Sequence, residues 1–91
     1  MTTPFTPPAT DIIQASILEL TTARGPAKSI CPSEVARLLE PGRWQSLMTA
    51  VRQAAIALAN AGRIDILRKG RPVPPAEVRG VIRLRIKGDA A

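Results

Sequence analysis

Ten arginines, one cysteine and no histidine or tyrosine set the chemistry open to this 91-residue chain. Imidazole is the commonest general acid or base, and without imidazole or phenol most nucleophile–base pairs are missing too. The lone thiol, Cys31, can form neither an internal disulfide nor, by itself, a zinc site. It precedes Pro32, which suits the first position of a helix, so Cys31 is expected at a helix cap as a small structural residue. A chain this short builds a small core with little room for a cofactor pocket. No enzyme activity, cofactor or metal is expected.

Cations are the positive signal. Thirteen Lys+Arg against seven Asp+Glu give a net charge of +6. Residues 1–42 hold three cations and four anions, whereas residues 43–87 hold ten cations and only Asp65 and Glu77. The planar fork of arginine suits bidentate contact with phosphate or carboxylate better than lysine does. A basic half on a small domain suggests a polyanionic partner, most often nucleic acid; solubility alone is the plainer alternative.

Two clusters would carry the contact. Ser46, Thr49 and Gln53 share one helical face, flanked by Arg43 and Arg52, with no acid between Arg43 and Gly62. Uncharged polar groups edged by Arg suit a surface laid against base edges and phosphates, although a small-residue face open to water has the same composition. Arg68, Lys69 and Arg71 lie around a loop, and Arg83 and Arg85 alternate along the strand after it, one cation every ~6.7 Å. These five are the expected phosphate contacts, or else charges that protect a strand edge from aggregation.

Defined elements must hold those residues. Residues 1–9 carry three prolines and no periodic pattern, so they read as a flexible arm. A first helix is expected from Thr10 or Asp11, both good caps, to Ala23 or Arg24, ahead of Gly25-Pro26. Ile13, Ile17 and Leu20 mark its buried face. Lys28-Ser29-Ile30 suits a short edge strand. The second helix starts at Pro32, with Glu34 in its first turn, where the dipole favours an anion. Val35, Leu38 and Leu39 give it an apolar face, and Glu40-Pro41-Gly42 ends it. Glu34 and Arg37, three apart, are placed for a surface ion pair worth ~0.3 kcal/mol.

In the third helix Trp44, Leu47, Met48, Val51, Ala55, Leu58 and Ala59 form a stripe of about four turns, closed by Gly62. Trp44 belongs to that core stripe rather than to a stacking site. Residues 64–69 and 81–87 alternate as strands, with Ile82, Leu84 and Ile86 on one face. Residues 70–80 between them, rich in Pro and Gly, read as an exposed basic flap, and residues 88–91 as a flexible tail.

The order helix, short strand, helix, long helix, strand, basic wing, strand is that of an α+β winged helix-turn-helix domain, here residues 10–87. In that architecture the third helix enters the major groove and the wing touches the backbone. The same fold also serves protein and ribosome interactions, so it does not by itself give function.

Cys31-Pro32-Ser33-Glu34-Val35-Ala36-Arg37, then Trp44 with Leu47, Met48, Val51, Arg52 and Ala55, carry a family resemblance. It continues through Gly62-Arg63-Ile64 to Arg68-Lys69-Gly70 and through Gly80-Val81-Ile82-Arg83-Leu84-Arg85. Over about residues 10–87 the chain resembles the small bacterial family known as domain of unknown function 3253. It departs from the family pattern at Gln45, where Arg is favoured, and at Val73-Pro74-Pro75, where an acidic residue is usual. The resemblance implies a winged-helix fold and no established activity.

The expectation is therefore a nucleic-acid-binding domain, duplex DNA favoured, possessing no catalytic residues and suited to a transcriptional regulator. Ser46, Thr49 and Gln53 would approach base edges, Arg43 and Arg52 would hold the backbone on either side, and Arg68, Lys69, Arg71, Arg83 and Arg85 would form the wing's phosphate contact. The alternative is a protein- or ribosome-interaction module with a basic face turned to an acidic partner. No dimerisation helix follows Lys87, so a monomer or weak dimer is expected. No apolar run of ~18 residues is present to span a membrane. The first eight residues lack the basic and apolar regions of a signal peptide, which makes the cytoplasm the expected location.

Overall fold

A computed structural model describes residues 6–88. The chain forms helix α1 (Thr10–Arg24), helix α2 (Pro32–Leu39), helix α3 (Trp44–Asn60), strand β1 (Ile64–Arg68), strand β2 (Arg71–Pro72), a 3-10 turn (Pro75–Glu77) and strand β3 (Arg83–Ile86). The three strands make one antiparallel sheet in the order β2-β1-β3. Ile30 adds an isolated rung on the far side of β3, exchanging 2.8 Å backbone hydrogen bonds in both directions with Leu84. This is an α+β arrangement consistent with a winged helix. Of the expected arm and tail, residues 1–5 and 89–91 lie outside the described residues; residues 6–9 form neither helix nor strand.

Helix α1 starts where the sequence places it, but without a side-chain cap. The Ala9 carbonyl instead accepts from Ile12 and Ile13, and Asp11 lies in the first turn, where the helix dipole favours its charge. Gly25, at φ 81°, ends the helix by donating to the carbonyls of Thr21 and Thr22. The buried row is Ile13, Ile17 and Thr21, with Leu20 only half-buried. Thr21 is tolerated there because its hydroxyl donates to the Ile17 carbonyl at 2.7 Å.

Helix α2 buries Pro32, Val35 and Ala36, while Leu38, expected on the apolar face, is 58 % exposed. An eight-residue helix has room for one narrow stripe, and α3 takes the side bearing Val35 and Ala36. Helix α3 buries Leu47, Val51, Ala54, Ala55 and Leu58; Trp44, Met48 and Ala59 pack half-buried at the margin. Ile13 and Ile17 of α1 join Ile30, Ile64, Ile66, Ile82 and Leu84 to complete the core.

The segment expected to be one open flap is built in three parts. Lys69 and Gly70 both have positive φ, 52° and 80°, which makes a two-residue turn of the primed type that matches strand twist. Strand β2 then pairs back on β1, with Leu67 opposite Pro72 and Arg68 opposite Arg71. The Val73 N–H donates to the Ile66 carbonyl, and the 3-10 turn packs against α3. Half-buried Val73 and Val78 hold this crossing to the core. The chain thereby passes from one edge of β1 to the other, and β3 pairs from Ile64↔Ile86 to Leu67↔Arg83.

Candidate nucleic-acid interface

Helix α3 turns Gln45, Ser46, Thr49, Gln53, Ala57 and Asn60 to solvent. Burial of the opposite stripe fixes this orientation, because Leu47, Val51, Ala54 and Leu58 allow the helix only one rotation. The face carries amide and hydroxyl groups and no formal charge. Arg43 is exposed at the residue preceding the helix, and the Ser46 N–H donates to its carbonyl.

Arg68, Lys69 and Arg71 meet at the tip of the β1–β2 hairpin, where with Pro72 and Val73 they line an open concavity of about 580 Å³. Arg68 and Arg71 stand directly opposite each other in the ladder. Like charges in that position repel, and both side chains are exposed. None of the three cations pairs with an acidic side chain among the described residues. Ile82, one residue beyond the last ladder pair, lines a cavity together with Met48 and Arg52. At the other end of the sheet, the Arg63 N–H donates to Leu58 near the end of α3. Strand β1 therefore runs back along α3, and the tip extends at the end that holds the N-terminal half of that helix.

Arg83 and Arg85 belong elsewhere. Strand alternation puts Arg68 on the face of Ile64 and Ile66, while Arg83 and Arg85, opposite Leu67 and Asp65, lie on the other. Both are tied to the chain. Arg83 donates from Nε to the Ser29 hydroxyl at 2.7 Å and from its terminal nitrogen to the Ser29 carbonyl at 3.0 Å. Arg85 donates to Asp65 at 3.2 Å in a part-buried ion pair. The five cations grouped from sequence are thus split between two faces.

Arg52, expected beside the backbone of a duplex, donates from α3 to the carbonyl of Gly80 and pins the root of the wing. The Glu34–Arg37 ion pair expected on α2 is not formed. Glu34 pairs instead with Arg24 at 2.9 Å and accepts the Cys31 N–H at 2.8 Å. Arg37 lies over the Trp44 ring, 4.3 Å from its centroid, so Trp44 packs on the core with one face under a cation.

Three features of this surface escaped the sequence reading: Ser29 as the anchor of Arg83, Gly80 as the acceptor for Arg52, and Val81, 86 % exposed. Only Gly80 left a local sign, a glycine ahead of a strand, here at φ 71°. Among the described residues, no three His, Cys, Asp or Glu side chains come together as a metal site would require, and no helix is long and apolar enough to cross a membrane.

No curated protein matches the chain. One family model does, the protein of unknown function DUF3253, and its match runs over residues 10–87, from the first residue of α1 to just past β3. The chain therefore belongs to that family, DUF3253.

Proposed function

We propose that this domain is a nucleic-acid-binding module, not an enzyme, and that its partner is duplex DNA. The observation that carries this reading is the hairpin tip, where Arg68 and Arg71 face each other with Lys69 between them and no acid among the residues that line the concavity. An isolated hairpin gains nothing from that repulsion, whereas a phosphate between the guanidiniums turns it into attraction. The acid-free face of α3 supports the same partner. In this reading α2 and α3 act as a helix-turn-helix pair, and Ser46, Thr49 and Gln53 approach base edges in the major groove. Arg43 and the tip cations hold phosphates, Arg52 positions the wing root, and Arg83 and Arg85 brace the sheet. Such a module suits a transcriptional regulator working in the cytoplasm as a monomer or weak dimer.

Fluorescence anisotropy on short duplexes across a salt series tests this. Log affinity should fall linearly with log salt, and each phosphate contact contributes about 0.9 to the slope. Arg68→Ala with Arg71→Ala should flatten the slope by about two units for every sequence. Gln53→Ala should leave the slope alone and change the preference among sequences. Absence of duplex binding at low salt would overturn the reading in favour of an acidic protein partner on the same basic face.

A further inference from the structure

Between the start of α2, the N-terminal half of α3 and the wing root lies a cavity of about 200 Å³. Cys31, Pro32, Met48, Arg52, Gly80, Val81 and Ile82 line it, and none of them is acidic. Val81 on its rim is 86 % exposed, more than Leu38 or Ile12, the other exposed large apolar residues among those described. Its presentation is built in. Gly80 adopts φ 71°, a conformation that L side chains rarely adopt, and Arg52 holds the Gly80 carbonyl from α3. Arg79 and Arg83 stand two residues to either side of Val81. The nearest acid in sequence to the lining residues, Glu34, is engaged by Arg24 and by the Cys31 N–H.

We infer that this cavity is an apolar socket for the C5-methyl group of thymine, and that the preferred partner is duplex DNA bearing thymine beside the α3 contact. The inference rests on the duplex reading above. Charge complementarity selects the occupant: an apolar socket with the Arg52 guanidinium in its wall, no acid in its lining, and Arg79 and Arg83 close by in the chain suits an apolar group on a polyanion. In the major groove that group is the thymine methyl, which apolar side chains recognise by contact. The socket borders Met48 and Arg52, on the flank of the same helix whose Thr49 and Gln53 would approach the groove.

The test is a two-by-two comparison of unmodified and Val81→Ala protein on two duplexes of one A·T-containing sequence, made with thymidine or with deoxyuridine throughout. Deoxyuridine removes only the methyl groups. The unmodified domain should bind the thymidine duplex about fourfold more tightly for each methyl seated in the socket. Val81→Ala should abolish most of that preference while leaving the salt slope unchanged. Because Val81 is exposed, the substitution leaves the core intact, and thermal unfolding verifies this. Equal binding of both duplexes by the unmodified domain, or an undiminished thymidine preference in Val81→Ala, overturns the socket while leaving duplex binding standing. If neither duplex binds and an acidic leucine-containing peptide shifts the amide resonances of Met48, Val81 and Ile82, the socket belongs to a protein partner and both readings fall.

Discussion

Glu34 is the residue on which the start of α2 depends. One carboxylate oxygen accepts the Cys31 N–H, one of the donors a helix start leaves unpaired, and the other meets Arg24 from α1. The Arg24 contact is exposed and contributes little, so the backbone contact carries most of the effect. Glu34→Ala should cost about 1 kcal/mol, measured by urea unfolding. Cys31→Ser should stay within ~0.5 kcal/mol of the parent, because serine caps a helix well and the contact from the Ser33 hydroxyl to Sγ can be remade to an oxygen. Arg37→Ala removes the cation over Trp44 and should cost about 0.5–1 kcal/mol, with a change in tryptophan fluorescence.

At the scale of elements, one substitution at the hairpin tip tests stability and the proposed duplex contact in opposite directions. Lys69 holds a left-handed conformation that lysine adopts reluctantly and asparagine tolerates. Lys69→Asn should therefore raise stability by about 0.5 kcal/mol and lower the salt slope of duplex binding by about one unit. Thermal unfolding and anisotropy on the same sample check both directions. The helices were legible in the sequence because their stripes recur at 3.6 residues and Gly25-Pro26, Pro32 and Glu40-Pro41-Gly42 punctuate them. The pairing of β1 with β3 was legible from alternation, as in Ile82-Arg83-Leu84-Arg85-Ile86. Strand β2 was not, because Arg71-Pro72 is too short for any period and only its partner Leu67-Arg68 defines it. The candidate site divided in the same way. Which residues of α3 face solvent follows from one helix alone, but the partners of Arg52, Arg83 and Glu34 lie on other elements and have no local signature.

The whole molecule turns on Leu84. It is fully buried, pairs with Ile66 across β1, and exchanges two backbone hydrogen bonds with Ile30 on its other side. Leu84→Ala should cost about 2–5 kcal/mol, against a total of about 0.05–0.15 kcal/mol per residue for a domain of ordinary stability. Urea unfolding should show the midpoint fall by a large fraction with the cooperativity retained; a loss under 1 kcal/mol would mean that the sheet is not the keystone of the core.

The place of β3 in the sheet also sets a timetable. Its neighbours are β1 and the rung before α2, and the contact from Arg83 to Ser29 spans 54 residues. Contacts so distant along the chain form late, since the entropy of closing the loop precedes any reward. On a ribosome the three helices are complete well before residue 84 emerges, and until then Ile30 and Ile66 have an open place between them. A released chain truncated after Gly80 should lack cooperative unfolding and protected core amides, and should bind a synthetic peptide of residues 81–87 as a missing strand. Folding of this domain is thus gated by the arrival of its final strand, so that helix formation during synthesis is provisional and the sheet decides when the fold is locked.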